Sequence, residues 1–256
     1  MSLDRQGIKG YMPKVQVCPL CGMTHPIVVN GVVKAGGQVR KTVPDQGYSF
    51  CNCNNIWFTD WKNIDQDCYD YNYMKNYDCE AVNEALKRYA TYFPMLENVK
   101  TFIEIGCINE TLLDEAKKLG WETYALDINP TVVSRHKRII GDVEDASKLE
   151  KLPNTDVFWT SHIFEHFRYP LRVAKNLYDK TNDGGYLFVA MPDPWFINWH
   201  KPLEWDHWVI REHHILWDMD SFIDRLLDIG YKLVHRKRNC LPGGICNRDF
   251  HIVFQK

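Results

Sequence analysis

Thr101-Phe-Ile-Glu-Ile-Gly106 and Trp121-Glu-Thr-Tyr-Ala-Leu-Asp127 flank a helical run that continues through Lys118. The two apolar stretches predict strands, and the segment between them predicts a tight turn followed by a helix. In an open parallel sheet, ligands bind beyond the carboxyl ends of the strands, where this unit places Gly106 and Asp127. Glycine lets the backbone approach a ligand closely, and an acid on the neighbouring strand can accept both hydroxyls of a ribose. The unit therefore predicts a ligand that contains a nucleoside.

From Lys100 onward, apolar strand-like runs alternate with amphipathic helical runs, which is typical of a doubly wound sheet. Two late strands joined by Leu241-Pro-Gly-Gly244 predict a hairpin, so one of them must run antiparallel to the sheet. The fold class predicted is α/β, with a doubly wound, seven-stranded, mostly parallel sheet. The predicted strands lie near 101–105, 122–126, 138–140, 155–160, 184–191, 231–237 and 249–255, and the predicted helices near 109–119, 130–136, 168–180 and 218–229.

Three zones divide the chain. Residues 1–60 carry a cysteine pair near each end, with short strands and turns expected between them. Residues 61–99 are first aromatic and then helical, with a helix over 81–93 that Pro94 should end, and they predict a helical lid or linker. Residues 100–256 form the predicted α/β domain.

The ordered motifs of residues 100–256 resemble the class I S-adenosylmethionine-dependent methyltransferases, a Rossmann-like fold. Glu104-Ile-Gly106 is similar to the family's first motif, and Asp127 to the acid that holds the ribose. Gly141-Asp142-Val143 resembles the segment that contacts adenine, and the run from Phe158 to His166 resembles the segment after strand four. The resemblance implies S-adenosylmethionine as cofactor, bound by Glu104, Gly106, Cys107, Asp127, Ile128, Asp142, Val143, Thr160 and Ser161.

The glycine turn departs from that family at two positions. The first motif of the family has two further glycines, where this chain carries Ile108 and Glu110. A β-branched residue adopts positive φ only at a cost, and the Glu110 carboxylate could lie near that of the cofactor, turn to its ammonium or cap the helix. A catalytically decayed cofactor-binding or scaffold protein is therefore an alternative to an active enzyme.

Cys18-Pro-Leu-Cys21-Gly22 is a knuckle signal, because two thiolates separated by two residues can point at one tetrahedral ion. Cys51-Asn-Cys53 supplies a second, less regular pair. Together they predict a small N-terminal zinc-ribbon module with structural Zn²⁺ bound by Cys18, Cys21, Cys51 and Cys53, similar to N-terminal ribbons on some methyltransferases. Four free thiols are the alternative, and Cys68 and Cys79 are possible substitute ligands.

Several histidines are candidates for a general base, because imidazole titrates near neutrality. We predict His166, His213 and His207 as catalytic candidates, and His214 cannot be ranked against the last two. A structural role in the strand-to-helix turn is equally open for His166. His162-Ile-Phe-Glu165-His166 also fits a metalloprotease pattern, but it follows a buried strand here and the metal interpretation is not favoured.

An aromatic segment follows the fifth predicted strand of residues 100–256. Asp193 is expected in a substrate-side loop facing the crevice. A dense group of tryptophans and histidines predicts a lid or a substrate pocket, with core packing as the competing interpretation. The group comprises Trp199, His200, Trp205, His207, Trp208, His213, His214 and Trp217. The tyrosine-rich run Tyr69–Tyr73 could close over the cofactor or cover a sheet edge.

The overall charge argues against polyanionic partners. The chain has 31 basic and 33 acidic residues and a net charge of -2, so a nucleic-acid methyltransferase is only a second alternative. The stretch Met1–Arg5 has no apolar signal core and no run reaches membrane-spanning length. We therefore expect a cytoplasmic enzyme with reduced cysteines, no membrane association and a small-molecule methyl acceptor, whose nucleophile the sequence leaves open.

Overall fold

The computed structural model describes residues 14–35, 39–64, 80–107, 109–130, 135–201, 205, 207–240 and 248–256. Ile108, Cys68, Cys79, the run Tyr69–Tyr73 and the hairpin link after residue 240 lie outside the described residues. Within the described part of the chain, no helix has the length and apolar composition that a membrane span requires.

A seven-stranded sheet forms the centre of the molecule, with the order β11-β12-β9-β8-β5-β6-β7. Strands β5 to β9 are mutually parallel, whereas β12 pairs antiparallel with both β9 and β11. This arrangement confirms the predicted mostly parallel sheet and its late hairpin. The strands are β5 (Thr101–Ile105), β6 (Glu122–Asp127), β7 (Lys137–Ile140), β8 (Thr155–Ser161), β9 (Thr181–Pro192), β11 (Lys232–Cys240) and β12 (Arg248–Gln255).

Helices cover both faces of this sheet because its strands are apolar on both sides. On one face, Phe102 and Trp159 pack against α1 (Glu80–Tyr89) and α2 (Thr111–Lys118). On the other face, Ile103 and Phe158 pack against α4 (Pro170–Lys180) and α5 (Met219–Ile229). Adjacent strand residues therefore enter different cores, as the twofold side-chain period of a strand requires. A short helix, α3 (Ala146–Leu149), follows β7 and had no sequence prediction.

A second, antiparallel sheet has the order β1-β2-β3-β4-β10. Its first four strands come from the N-terminal zone, but β10 comes from the segment that follows β9. Ile215 and Trp217 of β10 pair with Phe58 and Ile56 of β4. The N-terminal strands are thereby joined to the α/β unit. The strands are β1 (Val15–Val17), β2 (Thr24–Ala35), β3 (Val39–Cys51), β4 (Ile56–Phe58) and β10 (Ile215–Trp217).

One predicted helix differs from the structure in its bounds. Helix α1 ends at Tyr89 and continues as a 3-10 helix over Ala90–Met95, so Pro94 lies inside the tighter helix and does not end it. Proline has no amide hydrogen, so Pro94 donates no backbone hydrogen bond within this helix. The helix predicted near 130–136 falls largely on residues 131–134, outside the described part. In the described part of the chain, three other 3-10 helices span Trp61–Asn63, Phe164–His166 and Pro194–Phe196.

Candidate functional site

A cleft of about 920 Å³, open to solvent, lies at the carboxyl ends of β5, β6, β7 and β8. These strands are parallel, so their ends meet at one edge of the sheet and bring the following loops together. Trp61 and Ile64, from the N-terminal side, contribute the wall of the cleft that the sheet does not supply. The other lining residues are Ile105, Gly106, Leu126, Asp127, Ile128, Asn129, Gly141, Asp142, Val143, Glu144, His162, Ile163, His166 and Phe167.

Asp127 ends β6 and lines the cleft, with a side chain that is largely buried. Burial raises its pKa to about 6, although the Asn129 amide and the charge of Arg138 act in the opposite direction. The Asn129 amide donates to Oδ1 at 2.7 Å and so holds the carboxylate in one orientation. Asp127 is thus an oriented acceptor at the position predicted for it.

Glu104 and Cys107 are buried beside Asp127 and are absent from the cleft lining. Burial raises the pKa of Glu104 to about 8, while the nearby Cys107 thiol acts in the opposite direction and the Asp127 charge acts in the same direction. Its Oε2 atom is buried without a hydrogen-bond partner. The Cys107 thiol donates to the Asn109 carbonyl at 3.1 Å. The Glu104 carboxyl and the Cys107 thiol therefore influence the electrostatic potential beneath the turn at Gly106.

Gly106 needs to be glycine for two separate reasons. Its φ is +73°, a left-handed conformation that costs other residues energy. A Cβ atom there would lie 2.0 Å from Cδ1 of Ile163, whose side chain covers the turn.

Glu110, which stands where the family's first motif has a glycine, has a partner in the structure. Its carboxylate accepts hydrogen bonds from the backbone amide of Arg135 and from the Arg135 Nε at 2.6 Å. Glu110 is thus paired with a guanidinium, and no side-chain hydrogen bond caps α2 from it.

The remaining predicted cofactor residues divide between the cleft and the sheet interior. Ile128, which is half-exposed, and Asp142 and Val143 line the cleft. Thr160 is fully buried in β8 and donates to the Phe188 carbonyl at 2.8 Å. Ser161 ends β8, and neither it nor Thr160 is among the lining residues.

The histidines after β8 and before β10 converge at one side of the cleft. His166 lines it, and its ring centroid lies 4.9 Å from that of His213, which in turn lies 5.6 Å from His207. His162 also lines the cleft, with a φ of +55° that is uncommon for a non-glycine residue. His214 is different, because burial lowers its pKa to about 4 and its Nδ1 bonds the Phe167 carbonyl. The structure therefore assigns His214 a packing role.

One expectation for the aromatic segment is wrong, and the structure decides between the two interpretations left open for its tryptophans. Asp193 does not face the crevice: it is fully buried and accepts two hydrogen bonds from Arg238, at 2.8 and 2.7 Å. Trp205 and Trp208 are buried against Tyr48 of the N-terminal sheet, so they belong to a core and not to a lid. Trp199 is 55% exposed, and it packs near Trp57.

Three of the four predicted metal-binding thiols, those of Cys18, Cys21 and Cys51, lie within 4.8 Å of one another. The Sγ atom of Cys51 is 3.7 Å from that of Cys21 and 3.0 Å from that of Cys53. Burial alone would raise the pKa of Cys51, but hydrogen bonds from Cys53 and Asn54 lower it to about 6. The knuckle turn is closed by hydrogen bonds between Cys18 and both Gly22 and Met23, and Gly22 has a positive φ.

The sequence did not single out several residues that line the cleft, among them Trp61, Ile64, Asn129, Glu144 and Ile163. Trp61 and Ile64 have no local sequence pattern that marks them, because only the path of the chain after β4 brings them to the edge of the sheet. Asn129 and Glu144 lie three and four residues after predicted strand ends, and that position could have identified them. Burial raises the pKa of Glu144, while its carboxylate accepts the amides of Tyr169 and Arg168.

Comparison with known proteins agrees with this geometry. A family described as "Methyltransferase domain" matches residues 73–236, which is more than half of the chain. The chain belongs to the methyltransferase-domain family. No curated protein sequence matches this methyltransferase chain.

Solved structures share the fold at low sequence identity. A SAM-dependent methyltransferase from Archaeoglobus fulgidus has a TM-score of 0.59 at 18% identity, over 73% of this chain and 100% of that one. The plantazolicin methyltransferase BamL, solved in complex with a triazolic desmethylPZN analog and SAH, has a TM-score of 0.55 at 10% identity, over 72% and 88% of the two chains. A methyltransferase from Mesorhizobium loti scores 0.50 at 12% identity, over 68% and 100%. These likenesses establish the methyltransferase fold.

Proposed function

We propose that this protein transfers a methyl group from S-adenosylmethionine to a small-molecule acceptor. The observation that carries the proposal is the cleft at the ends of the parallel strands, where Asp127 presents an oriented carboxylate beside the glycine turn at Gly106. The position and chemistry of this pair suit the ribose and the amino-acid part of the cofactor. Several neighbours in this methyltransferase fold are SAM-dependent by their descriptions, which supports the same choice of cofactor.

Different residues of the cleft would bind three parts of the cofactor. Asp127 would accept the ribose hydroxyls. Ile128 and Val143 offer apolar surface for the adenine, and Asp142 offers an acceptor for its amino group. Glu104 lies two residues before Gly106, buried outside the cleft lining, and a cationic ligand at the turn would favour its ionised form. The acidic character of this end of the cleft matches a sulfonium cofactor that also carries an ammonium.

The histidine side of the cleft is proposed as the acceptor side. The cofactor supplies an electrophilic methyl group, so the protein has to align the acceptor and exclude water. His166, His213 and His207 lie together there, and His166 reaches the cleft wall. Its Nδ1 atom bonds the Glu212 carbonyl at 2.8 Å, so the basic nitrogen of the neutral ring is Nε2. A proton from a hydroxyl or amine acceptor could be taken at this side of the cleft.

Calorimetry with S-adenosylmethionine tests the proposal. Asp127→Ala should weaken binding at least tenfold, since loss of a charge-assisted pair of hydrogen bonds costs about 1.5–3 kcal/mol. Asp183→Ala is the matched control, because that carboxylate is 99% exposed at the other end of β9. Unchanged affinity in Asp127→Ala would refute the assignment of the ribose site. A folded wild-type protein that binds no cofactor would favour the decayed scaffold alternative.

The preference for a small-molecule acceptor rests on charge. The net charge of -2 gives no general attraction to a polyanion. A gel shift with RNA or DNA that weakens steeply as salt rises would instead support a nucleic-acid acceptor.

A structural zinc ion is the second part of the proposal. Thiolates bound about 2.3 Å from a tetrahedral zinc lie roughly 3.8 Å apart, close to the separation of the Cys21 and Cys51 sulfur atoms. Cys53 is exposed, so rotation of its side chain can bring it to the same spacing. Four thiolates fill the coordination sphere of zinc and leave no position for chemistry. The residues present therefore fit a closed structural site.

A further inference from the structure

A second group of metal-ligating side chains lies at the acceptor side of the cleft. Glu165 and His166 belong to the 3-10 helix that follows β8, and His213 directly precedes His214 and β10. One ligand atom from each of these three residues lies within 4.8 Å of the other two. His166 lines the cleft, so an ion held by the three would be reached from it.

The buried carboxylate of Glu165 indicates that a cation binds between these residues. Its side chain is 1% exposed, and neither carboxylate oxygen has a hydrogen-bond partner. Among the described residues, two groups that can carry positive charge come close to its Oε1 atom: His162, with Nδ1 at 3.5 Å, and His166, with Nε2 at 3.8 Å. Both distances exceed a hydrogen bond. A buried carboxylate without hydrogen bonds is costly unless a charge compensates it.

The two histidines have the orientation of metal ligands. Nδ1 of His166 bonds the Glu212 carbonyl at 2.8 Å, and Nδ1 of His213 bonds the His207 carbonyl at 2.8 Å. Carbonyl oxygens only accept, so each Nδ1 carries the proton and each neutral ring has its lone pair on Nε2. Metal-bound histidines characteristically donate their other N–H to a carbonyl or carboxylate in this way, which holds the ring in place.

We propose that Glu165, His166 and His213 bind one divalent metal ion at the acceptor side of the cleft. Two imidazoles and one carboxylate suit a first-row transition ion such as Mn²⁺, Fe²⁺ or Zn²⁺, whereas Mg²⁺ and Ca²⁺ prefer oxygen ligands. Three protein ligands leave coordination positions open for an oxygen atom of the acceptor.

This inference rests on the proposed methyl transfer and specifies its acceptor as a hydroxyl compound. A bound cation lowers the pKa of a coordinated hydroxyl, so the acceptor would release its proton to water in place of an imidazole base. Its oxygen would then form a bond to the methyl carbon as the S–C bond of the sulfonium breaks and the neutral thioether leaves. His166 and His213 would then act as ligands. His207 would remain outside the ligand set, stacked beside His213.

Titration of the full-length, chelator-treated protein with Mn²⁺ tests the site, by calorimetry and by loss of the electron paramagnetic resonance signal of free Mn²⁺. Wild-type protein should bind one Mn²⁺ per chain at the site. Glu165→Gln and His213→Asn should each weaken binding at least tenfold, whereas the control His235→Asn, on β11, should not.

Two results would overturn the proposal. One is a folded wild-type protein that binds no Mn²⁺ at millimolar concentration, which would mean that the histidines themselves compensate Glu165. The other is equal Mn²⁺ affinity in wild type and Glu165→Gln. The wild-type titration decides the question even if a variant fails to fold, as judged by circular dichroism.

A parallel titration with S-adenosylmethionine distinguishes failure of the metal-site proposal from failure of the proposed methyl transfer. Cofactor binding without Mn²⁺ binding refutes the metal site alone. Mn²⁺ binding that Glu165→Gln abolishes, in a protein that binds no cofactor, supports the metal site and refutes the methyl transfer.

Discussion

Glu104 is a carboxylic acid inside the central sheet, 3% exposed, with its pKa raised by burial to about 8. An acid whose pKa is raised in the folded state binds its proton more tightly there than in the unfolded chain. Its contribution to stability is therefore complete below the unfolded pKa and is lost as pH rises towards 8. The sequence identified Glu104 by its place in the motif, but only the surrounding sheet makes it a buried acid.

Glu104→Gln should become more stable relative to wild type as pH rises from 5 to 8. The gain should reach a few kcal/mol, at about 1.4 kcal/mol for each pH unit between the two pKa values. Urea unfolding of both proteins at several pH values measures it. Glu122→Gln is the control, since Lys137 lowers the pKa of that exposed carboxyl and no gain is expected. A difference between wild type and Glu104→Gln that does not change with pH would contradict the buried state of Glu104.

Gly106→Ala should destabilise the protein more than Gly120→Ala. Both glycines have positive φ, at +73° and +83°, so both substitutions carry a backbone cost of about 1 kcal/mol. Only at Gly106 does the added Cβ meet another side chain, that of Ile163, whereas nothing lies within 4 Å at Gly120. The free energies of unfolding measure the difference, which we expect to be about 1–3 kcal/mol.

The double variant Gly106→Ala with Ile163→Ala tests that explanation. Removing the Ile163 side chain should abolish the additional cost that Gly106→Ala shows over Gly120→Ala. The comparison is made in the Ile163→Ala background, so that the loss of isoleucine packing cancels. Equal costs for the two glycine substitutions in the wild-type background would show that Ile163 moves aside freely.

At the scale of elements, α5 shows how local sequence signals place a helix. Asp218 is its N-cap, and its Oδ2 accepts the amides of Asp220 and Ser221, both at 3.1 Å. Gly230 ends the helix in the left-handed conformation. Capping by aspartate and termination by glycine are local effects, so the predicted bounds of this helix agree with the structure within one residue.

Asp218→Ala should reduce the free energy of unfolding by about 1 kcal/mol, because two backbone amides lose their acceptor. Asp218→Asn keeps a capping oxygen and should recover most of the loss. Chemical denaturation of the three proteins is the measurement. The Asp218 carboxylate also lies 3.6 Å from Arg238, so equal losses in the two variants would assign the effect to that ion pair.

At the scale of the whole molecule, the N-terminal strands and the α/β unit share one core. Cys18, Cys51 and Phe58 belong to the same apolar cluster as Trp217 and Phe222. Arg225 of α5 donates to Asn54 at 3.0 Å, and Asn54 in turn donates to the sulfur atoms of Cys51 and Cys53. The cysteine cluster is therefore tied by hydrogen bonds to a helix of the methyltransferase domain.

Removal of zinc should lower the thermal stability of the whole protein. We expect one zinc ion per chain by elemental analysis, and its loss together with a lower melting temperature in Cys51→Ser. Cys107→Ser is the matched control, because that thiol is buried elsewhere and a serine hydroxyl can also donate to the Asn109 carbonyl. If Cys51→Ser loses zinc while unfolding of the central sheet is unchanged, the zinc site and the central sheet are not energetically coupled.

The sequence by itself determined the central fold and the place of the cleft. Strand periodicity, the glycine at the first turn and Asp127 at the end of β6 are local features, and parallel strands bring their ends together whatever follows them. The two cysteine pairs are likewise visible as short spacings, and the structure gathers them, although zinc binding itself stays a prediction.

Only the tertiary structure decided how distant segments meet. The pairing of β10 with β4, the burial of Trp205 and Trp208 against Tyr48, and the pairing of Asp193 with Arg238 all join residues far apart in the chain. The approach of His213 to Glu165 and His166 is of the same kind. Such contacts form because apolar and charged side chains that become buried when the chain compacts need apolar or oppositely charged neighbours. No short sequence pattern specifies which distant residue will be that neighbour.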